Sequence, residues 1–215
     1  MTPHAPTPRP PHRRQLIIRL GEGIDFAHYD ARRPDSFSFF SYETTPATSR
    51  LINLRGALES LPQEATSTTD AQVLVAAGPV TLVPLALFRE EDCKTLYGYC
   101  CPDTDDAEVY YDTLPSANAV LLFSLHRPLA RMMQETFASV HYVSALTPLL
   151  RHFAERSMSG GKRLYVYLDD GRAHMSAFDG GRLLMANSYP ARHTADTVYY
   201  ALNMARRLGF DVTAD

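Results

Sequence analysis

The sequence predicts an α/β protein built on a repeated strand–strand–strand–helix unit, and three observations predict it. The stretch Lys162–Gly209 reads as three short strands with tight turns between them, followed by one amphipathic helix. A looser version of the same order opens the folded part of the chain, between Gln15 and Leu61. Of the 215 residues, 45% are hydrophobic and 21% charged, ordinary globular usage that supplies a packed core under such sheets.

The elements follow in order. Met1–Arg14 carries five prolines and no apolar core segment, so it is neither signal peptide nor helix but a disordered, polyproline-like tail. Gln15–Leu20 is a first strand, Glu22-Gly23 a turn, and Ile24–Tyr29 a second strand with Ile24, Phe26 and His28 on one face. Asp30–Asp35 turns again, and Ser36–Tyr42 alternates serine and phenylalanine like a half-buried third strand. After Pro46, Thr48 or Ser49 caps a helix whose Leu51, Leu54, Leu58 and Leu61 form one stripe. Gly56 inside that helix costs roughly 1 kcal/mol relative to alanine. Pro62–Asp70 is a polar loop, and Gln72–Ala77 has the continuous apolar character of a strand covered on both faces. Val80–Phe88 is a further strand, Arg89–Asp92 an acidic turn, and Lys94–Asp106 reads as irregular. Glu108–Leu114 and Ala119–Leu125 are strands joined at Pro115–Asn118. Pro128 opens a helix bearing Leu129, Met132, Met133 and Phe137 on one side. Val140–Val143 is a short strand, and Thr147-Pro148 starts another helix that ends at a hinge, Ser157–Gly161.

Beyond the hinge every local cue agrees. Leu164–Leu168 and Arg172–Phe178 flank Asp170-Gly171, a strong hairpin signal, and Asp179-Gly180-Gly181 turns into Arg182–Ser188. Thr194 caps a helix with Val198, Leu202, Ala205 and Leu208 on its inward face, and Gly209 stops it. The two stretches overlay: Leu16 on Leu164, Leu20 on Leu168 and Gly23 on Gly171, at a constant offset of 148. Strand three, a proline (Pro46 or Pro190) and a capped helix follow in both copies, the pattern of an internal duplication. The domain organisation is then a tail at 1–14, a first lobe at 15–158 with inserted elements, and a second lobe at 159–215. Phe210-Asp211-Val212 reads as the start of a next strand, so the second lobe lacks its last strand and helix within this sequence. Either the sequence is shortened relative to its relatives, or another chain completes the open sheet edge.

Composition excludes several functions. A net charge of −3 and a pI near 6.2 give no drive toward nucleic acid or anionic lipid. The longest apolar run, Val73–Phe88, is broken by Gly78, Pro79, Thr81 and Pro84 and does not span a bilayer. Cys93, Cys100 and Cys101 are an odd set without a CxxC pair, as in reduced cytosolic proteins. Ser159-Gly160-Gly161-Lys162 lacks the P-loop spacing, with Arg163 in place of its hydroxyl residue. Ser124 and His126 have no GxSxG elbow, and His141 and His152 have no metal-ligand spacing. A divalent-metal nuclease would need carboxylates on the first strand and at later strand ends. The only early candidates, Glu22 and Asp25, lie in the turn and the second strand, where acidic residues on a solvated rim are commoner. Tyr110-Tyr111 and Tyr199-Tyr200 lie outside any basic patch and suit packing better than base stacking.

Two copies of β-β-β-α, each continuing toward a further strand and helix, resemble the ribonuclease-H-like unit. Two such units in one chain are the plan of the actin-like ATPase fold. Thr81-Leu82-Val83-Pro84 before Leu87-Phe88, the Ala119–Met133 strand–helix pair, and Ala186-Asn187-Ser188-Tyr189 followed by Asp196 and Tyr199-Tyr200 also resemble an uncharacterised bacterial family, a domain of unknown function related to that fold. The resemblance runs from Gln15 to Phe210 and implies two ribonuclease-H-like lobes of actin-like ATPase architecture, the second incomplete. In active members of the superfamily the first hairpin of each lobe is an Asp-x-Gly type turn that grips phosphates and engages the metal. The corresponding turns here are Gly21-Glu22-Gly23 and Asp169-Asp170-Gly171. Gly21 stands where an aspartate would be wanted, with Glu22 one residue displaced, and Arg172 and Ala173 replace the usual small hydroxyl residues. The superfamily's adenosine-binding Gly-Gly would lie beyond Asp215. The resulting expectation is a cytoplasmic, non-enzymatic scaffold or interaction module without cofactor, its partner another protein or its own copy. The alternative is an ATP-binding protein or weak Mg-dependent ATPase using those two turns.

Overall fold

The computed structural model describes residues 14–30, 32–62, 65, 70–102, 106–169 and 171–210. Residues 1–13 of the tail, most of the Pro62–Asp70 loop, Asp170 and Asp211-Val212 lie outside them. Backbone contacts divide the chain into two compact units. The first comprises Met1–Gly78, Glu90–Asp112 and Phe123–Ala145, and the second Pro79–Arg89, Thr113–Leu122 and Leu146–Asp215. The chain therefore passes between the units several times.

The first unit is organised on a five-stranded sheet in the order β3-β2-β1-β4-β8. Here β1 is Arg14–Leu20, β2 Ile24–Asp30, β3 Ser38–Tyr42, β4 Asp70–Val75 and β8 Ser139–Ser144. β1 to β3 form an antiparallel meander, and β4 and β8 add in parallel, Leu16 facing Ala71 and Val73 facing Tyr142. Ile24, Phe26 and His28 are buried on one face, as their spacing of two requires. The third strand differs from its reading. Phe37 and Phe39 are exposed, and Phe40 turns inward to stack on Phe26 with ring centroids 4.9 Å apart. β4 is fully buried on one face and half-buried on the other, so its apolar run is only partly covered. Helix α1, Arg50–Glu59, starts where Ser49 Oγ accepts from the Ile52 N–H at 3.3 Å, and it buries Leu54 and Ala57. Gly56 lies on the side of α1 that Tyr42 approaches: a Cβ there would sit 2.5 Å from the phenol oxygen. A segment expected to be irregular is helix α2, Cys93–Cys100, whose turns bring Cys93, Tyr97 and Cys101 to one buried face. Helix α3, Arg127–Thr136, carries Pro128 in its first turn and buries Leu129 and Met133.

The second unit carries the sheet β11-β10-β9, made of β9 (Lys162–Asp169), β10 (Arg172–Asp179) and β11 (Arg182–Pro190), antiparallel throughout. Both hairpin turns use glycines at positive φ, Gly171 at 67°, Gly180 at 55° and Gly181 at 80°. One face of this sheet meets helix α4, Leu146–Arg156, where Phe153 stacks on Tyr165 at 4.3 Å. On the other face Ala173, Met175 and Ala177 pack with Met204 of helix α5, Thr194–Arg207. That helix sits differently from its reading. Val198 and Leu202 are 50% and 52% exposed, while Met204 and Ala205 are buried. Its rotation is set by Tyr200, which stacks on Tyr189 of β11 with centroids 4.2 Å apart. The end is closed as the sequence suggests: Gly209 at φ 65° lets the Phe210 N–H reach the Ala205 carbonyl at 2.9 Å. A third sheet, in the order β5-β7-β6, joins β5 (Val80–Pro84), β6 (Ala107–Leu114) and β7 (Ala119–His126).

Candidate functional site

In open α/β sheets ligands bind beyond the carboxyl ends of parallel strands, because loops there splay apart and leave backbone donors free. In the first unit that rim is formed by the ends of β1, β4 and β8. The Leu20 carbonyl accepts from the N–H groups of Ala76 and Ala77 at 2.9 and 3.1 Å, and the Val75 carbonyl accepts from the Ala145 N–H at 2.9 Å. Gly21, Glu22 and Gly23 hang from this rim as the β1–β2 turn. The turn is closed on itself: the Gly21 N–H donates to the Gly23 carbonyl at 3.0 Å, and the Arg50 guanidinium donates to the Gly21 carbonyl. Gly21 is buried, Glu22 is exposed, and Gly23 has open space where a Cβ would stand.

A buried carboxylate at the same rim escaped the sequence reading. Asp112 of β6 is 2% exposed, and its Oδ2 accepts from the Ser144 N–H at 2.8 Å at the end of β8. Its one signal is an aspartate inside the strand-forming run Val109–Leu114, a pattern that also fits an exposed strand position. Held by a backbone donor, it ties the last residue of β8 in place. Among the described residues no group of three or more His, Cys, Asp or Glu side chains is placed to hold a metal ion.

In the second unit Asp169 is half-buried at the end of β9, Gly171 takes its left-handed conformation in the β9–β10 turn, and Asp170 lies outside the described residues. The Gly171 carbonyl accepts from the Ala191 N–H at 2.8 Å, and Arg192 Cγ lies 3.7 Å from where a Cβ on Gly171 would stand. The glycine is therefore required by the hairpin itself. Between α4 and the sheet is a pocket lined by Phe153, Tyr167, His174, Ser176 and Asn187, with about 10 Å³ of free space. That is room for one water, far below the ~300 Å³ of a small-molecule site. His174 Nδ1 lies 2.5 Å from Ser188 Oγ, a pairing across β10 and β11.

The meander, the crossover strands and the paired β-β-β-α order define the class. The crystal structure of a Bacteroides thetaiotaomicron VPI-5482 protein, described as having an actin-like ATPase fold and unknown function, matches with a TM-score of 0.84 and 26% identity over 93% of this chain and 78% of that one. The type IV pilus biogenesis complex PilM–PilN matches at a TM-score of 0.51 and 16% identity over 95% of this chain and 68% of that chain, a likeness of fold alone. This is an α/β protein of actin-like ATPase fold. The chain belongs to the family described as Protein of unknown function (DUF3822), whose model matches residues 8–215. No curated protein matches it.

Proposed function

We propose that this protein is a non-enzymatic scaffold of actin-like architecture that works in the cytoplasm through protein contacts. The observation that carries the reading is the first hairpin turn. A turn that serves a metal–nucleotide complex offers a carboxylate and unspent amide donors. Here glycine stands in the carboxylate's place, the Gly21 N–H is spent within the turn, and Arg50 occupies the Gly21 carbonyl. Exposed apolar side chains on the second unit, Val166, Leu168, Val198 and Leu202, supply surface for contacts. The β-β-β-α order shared by Arg14–Glu59 and Lys162–Arg207 supports a duplicated ribonuclease-H-like unit, inherited for its shape.

A second reading, Mg-ATP binding with weak ATPase activity, is favoured by one observation: Arg50 places a guanidinium at the Gly21 turn, where a phosphate would meet it. Thermal unfolding with and without Mg-ATP separates the two. A ligand at 100-fold over its Kd adds about 2.7 kcal/mol, a rise of roughly 5–10 °C for a chain of this size. The scaffold reading expects no ATP-dependent rise. A rise that Asp169→Ala abolishes would replace it with the nucleotide reading.

A further inference from the structure

The net charge of −3 conceals two units of opposite sign. The first unit carries eleven lysines and arginines against seventeen aspartates and glutamates, and the second carries ten against seven. Six of those ten stand where β9 and β11 begin and where α4 and α5 end: Arg156, Lys162, Arg163, Arg182, Arg206 and Arg207, all exposed. The carboxylates at that end, among the described residues, are Glu155 and Asp179. Two of the six cations serve the fold. Lys162 and Arg163 are consecutive on β9 and so face opposite sides of the sheet. Lys162 Nζ donates to the Leu208 and Gly209 carbonyls at 2.7 and 3.2 Å, and Arg163 donates to the Arg156 carbonyl at 2.7 Å, which closes the ends of α5 and α4. Arg156, Arg206 and Arg207 add to this only the weak attraction of a cation for a helix C-terminus. Arg182 stands opposite Asp179 in the ladder and forms no ion pair with it. Among the described residues none of these four arginines has a carboxylate partner. Met158 lies at the same end, 68% exposed, and its thioether covers the β10–β11 turn so closely that a Cβ on Gly181 would collide with it.

We propose that this end of the second unit docks a short acidic segment of a partner protein, with an apolar side chain of that segment seated on Met158. This deepens the scaffold reading and rests on it. Charge decides the class of partner. An anionic bilayer or a nucleic acid presents charge over many Debye lengths and meets the whole chain, which is itself negative. A short segment responds to what lies within about 8 Å at physiological salt. There cations outnumber carboxylates six to two among the described residues. Helices α4 and α5 lie on opposite faces of the sheet, so their ends are on the order of 20 Å apart, a span of about six extended residues. Unpaired guanidinium groups take carboxylates in bidentate fashion, and a flexible, polarizable methionine accommodates apolar side chains of varied shape.

Fluorescence anisotropy on the full chain tests this with a labelled peptide of about eight residues, glutamates around one central leucine. The expected result is saturable binding that the paired substitution Arg206→Glu and Arg207→Glu weakens by roughly tenfold or more, with the thermal unfolding transition retained. Arg156→Glu weakens it in the same direction, and Arg192→Glu, at the opposite end of the same unit, changes it by less than about twofold. Raising salt from about 0.1 to 1 M shortens the Debye length from about 10 to about 3 Å and abolishes binding. Met158→Ser weakens binding of the leucine peptide and leaves unchanged that of a peptide with serine in the leucine's place. Four results overturn the proposal: no saturable binding, equal binding by the charge-reversed chain, tighter binding of phosphatidylserine vesicles or oligothymidylate than of the peptide, or binding that emerges only with Asp211→Asn and Asp215→Asn, as it would if the chain's own carboxylates held the site. None of these failures touches the scaffold reading, which the Mg-ATP measurement decides separately.

Discussion

Replacing Met204 with alanine removes a side chain that is 2% exposed and sits against Ala173, Met175 and Ala177. Core truncations of this size cost 2–5 kcal/mol, the larger values arising where the surroundings do not collapse into the space. Three of the four cluster members lie on the strand β10, which is paired on both sides and so holds its shape. A cost of about 3 kcal/mol follows. Leu202, two residues earlier on the same helix, is 52% exposed. Full burial of a leucine is worth about 2 kcal/mol, so half-burial gives about 1 kcal/mol, and alanine's better helix propensity returns a few tenths. In urea, with a slope of roughly 2 kcal/mol per molar, Met204→Ala moves the midpoint of the second unit's transition by about 1.5 M and Leu202→Ala by under ~0.5 M. Far-UV circular dichroism reads both. A larger shift for Leu202→Ala than for Met204→Ala would refute the orientation of α5 and restore the face that the sequence pattern suggests.

Two further outcomes test local geometry. Gly56→Ala, which in an open helix would gain up to about 1 kcal/mol, destabilises here because the new methyl meets the Tyr42 phenol oxygen at 2.5 Å. Tyr42→Phe in the same chain recovers part of the loss, a coupling of roughly 0.5–3 kcal/mol by double-mutant cycle, and a stabilising single substitution would contradict the contact. Burial, with the Glu90 carboxylate adding to it, pushes the Cys93 thiol up to about 11, and burial likewise raises Cys101. A raised thiol pKa leaves the unreactive protonated form dominant at pH 8. Native protein therefore labels rapidly at the exposed Cys100 alone, and unfolded protein at all three cysteines; rapid native labelling of Cys93 would contradict its burial.

Elements whose identity is written in nearest neighbours were legible in the sequence. The cap of α1, narrowed to Thr48 or Ser49 and made by Ser49, the face of Ile24, Phe26 and His28 and the glycine turns at Gly171 and Gly180-Gly181 each depend on a handful of adjacent residues. Helix α2 was not legible. Its run CKTLYGYC has a glycine and few strong helix formers, and it is helical because Cys93, Tyr97 and Cys101 are buried together. The face of α5 was misread for a related reason. Two apolar stripes run along it, one through Val198 and Leu202 and one through Tyr200, Ala201 and Met204, and both share Ala205 and Leu208. Periodicity does not choose between two stripes of similar strength; the stacking of Tyr200 on Tyr189 does.

Of the candidate site, the two turns were located and their residues named, while the features that give the first turn its character were hidden. Arg50 reaches Gly21 from 29 residues away, and Asp112 meets Ser144 from 32 residues away, so no local pattern announces either. The sequence by itself determined the strand order of the two meanders and their turns, since these rest on period-two patterns and on backbone conformations open to few residues. Its resemblance to the actin-like plan supplied the fold class. Of the caps, Thr194 was misplaced, because His193 caps the last helix in a box with Asp196. The tertiary structure alone decided which side of α5 is buried, why Gly56 has no side chain, and that a carboxylate sits under the end of β8. Those outcomes depend on which surfaces meet, and contact between residues far apart in the chain is set by packing rather than by local propensity.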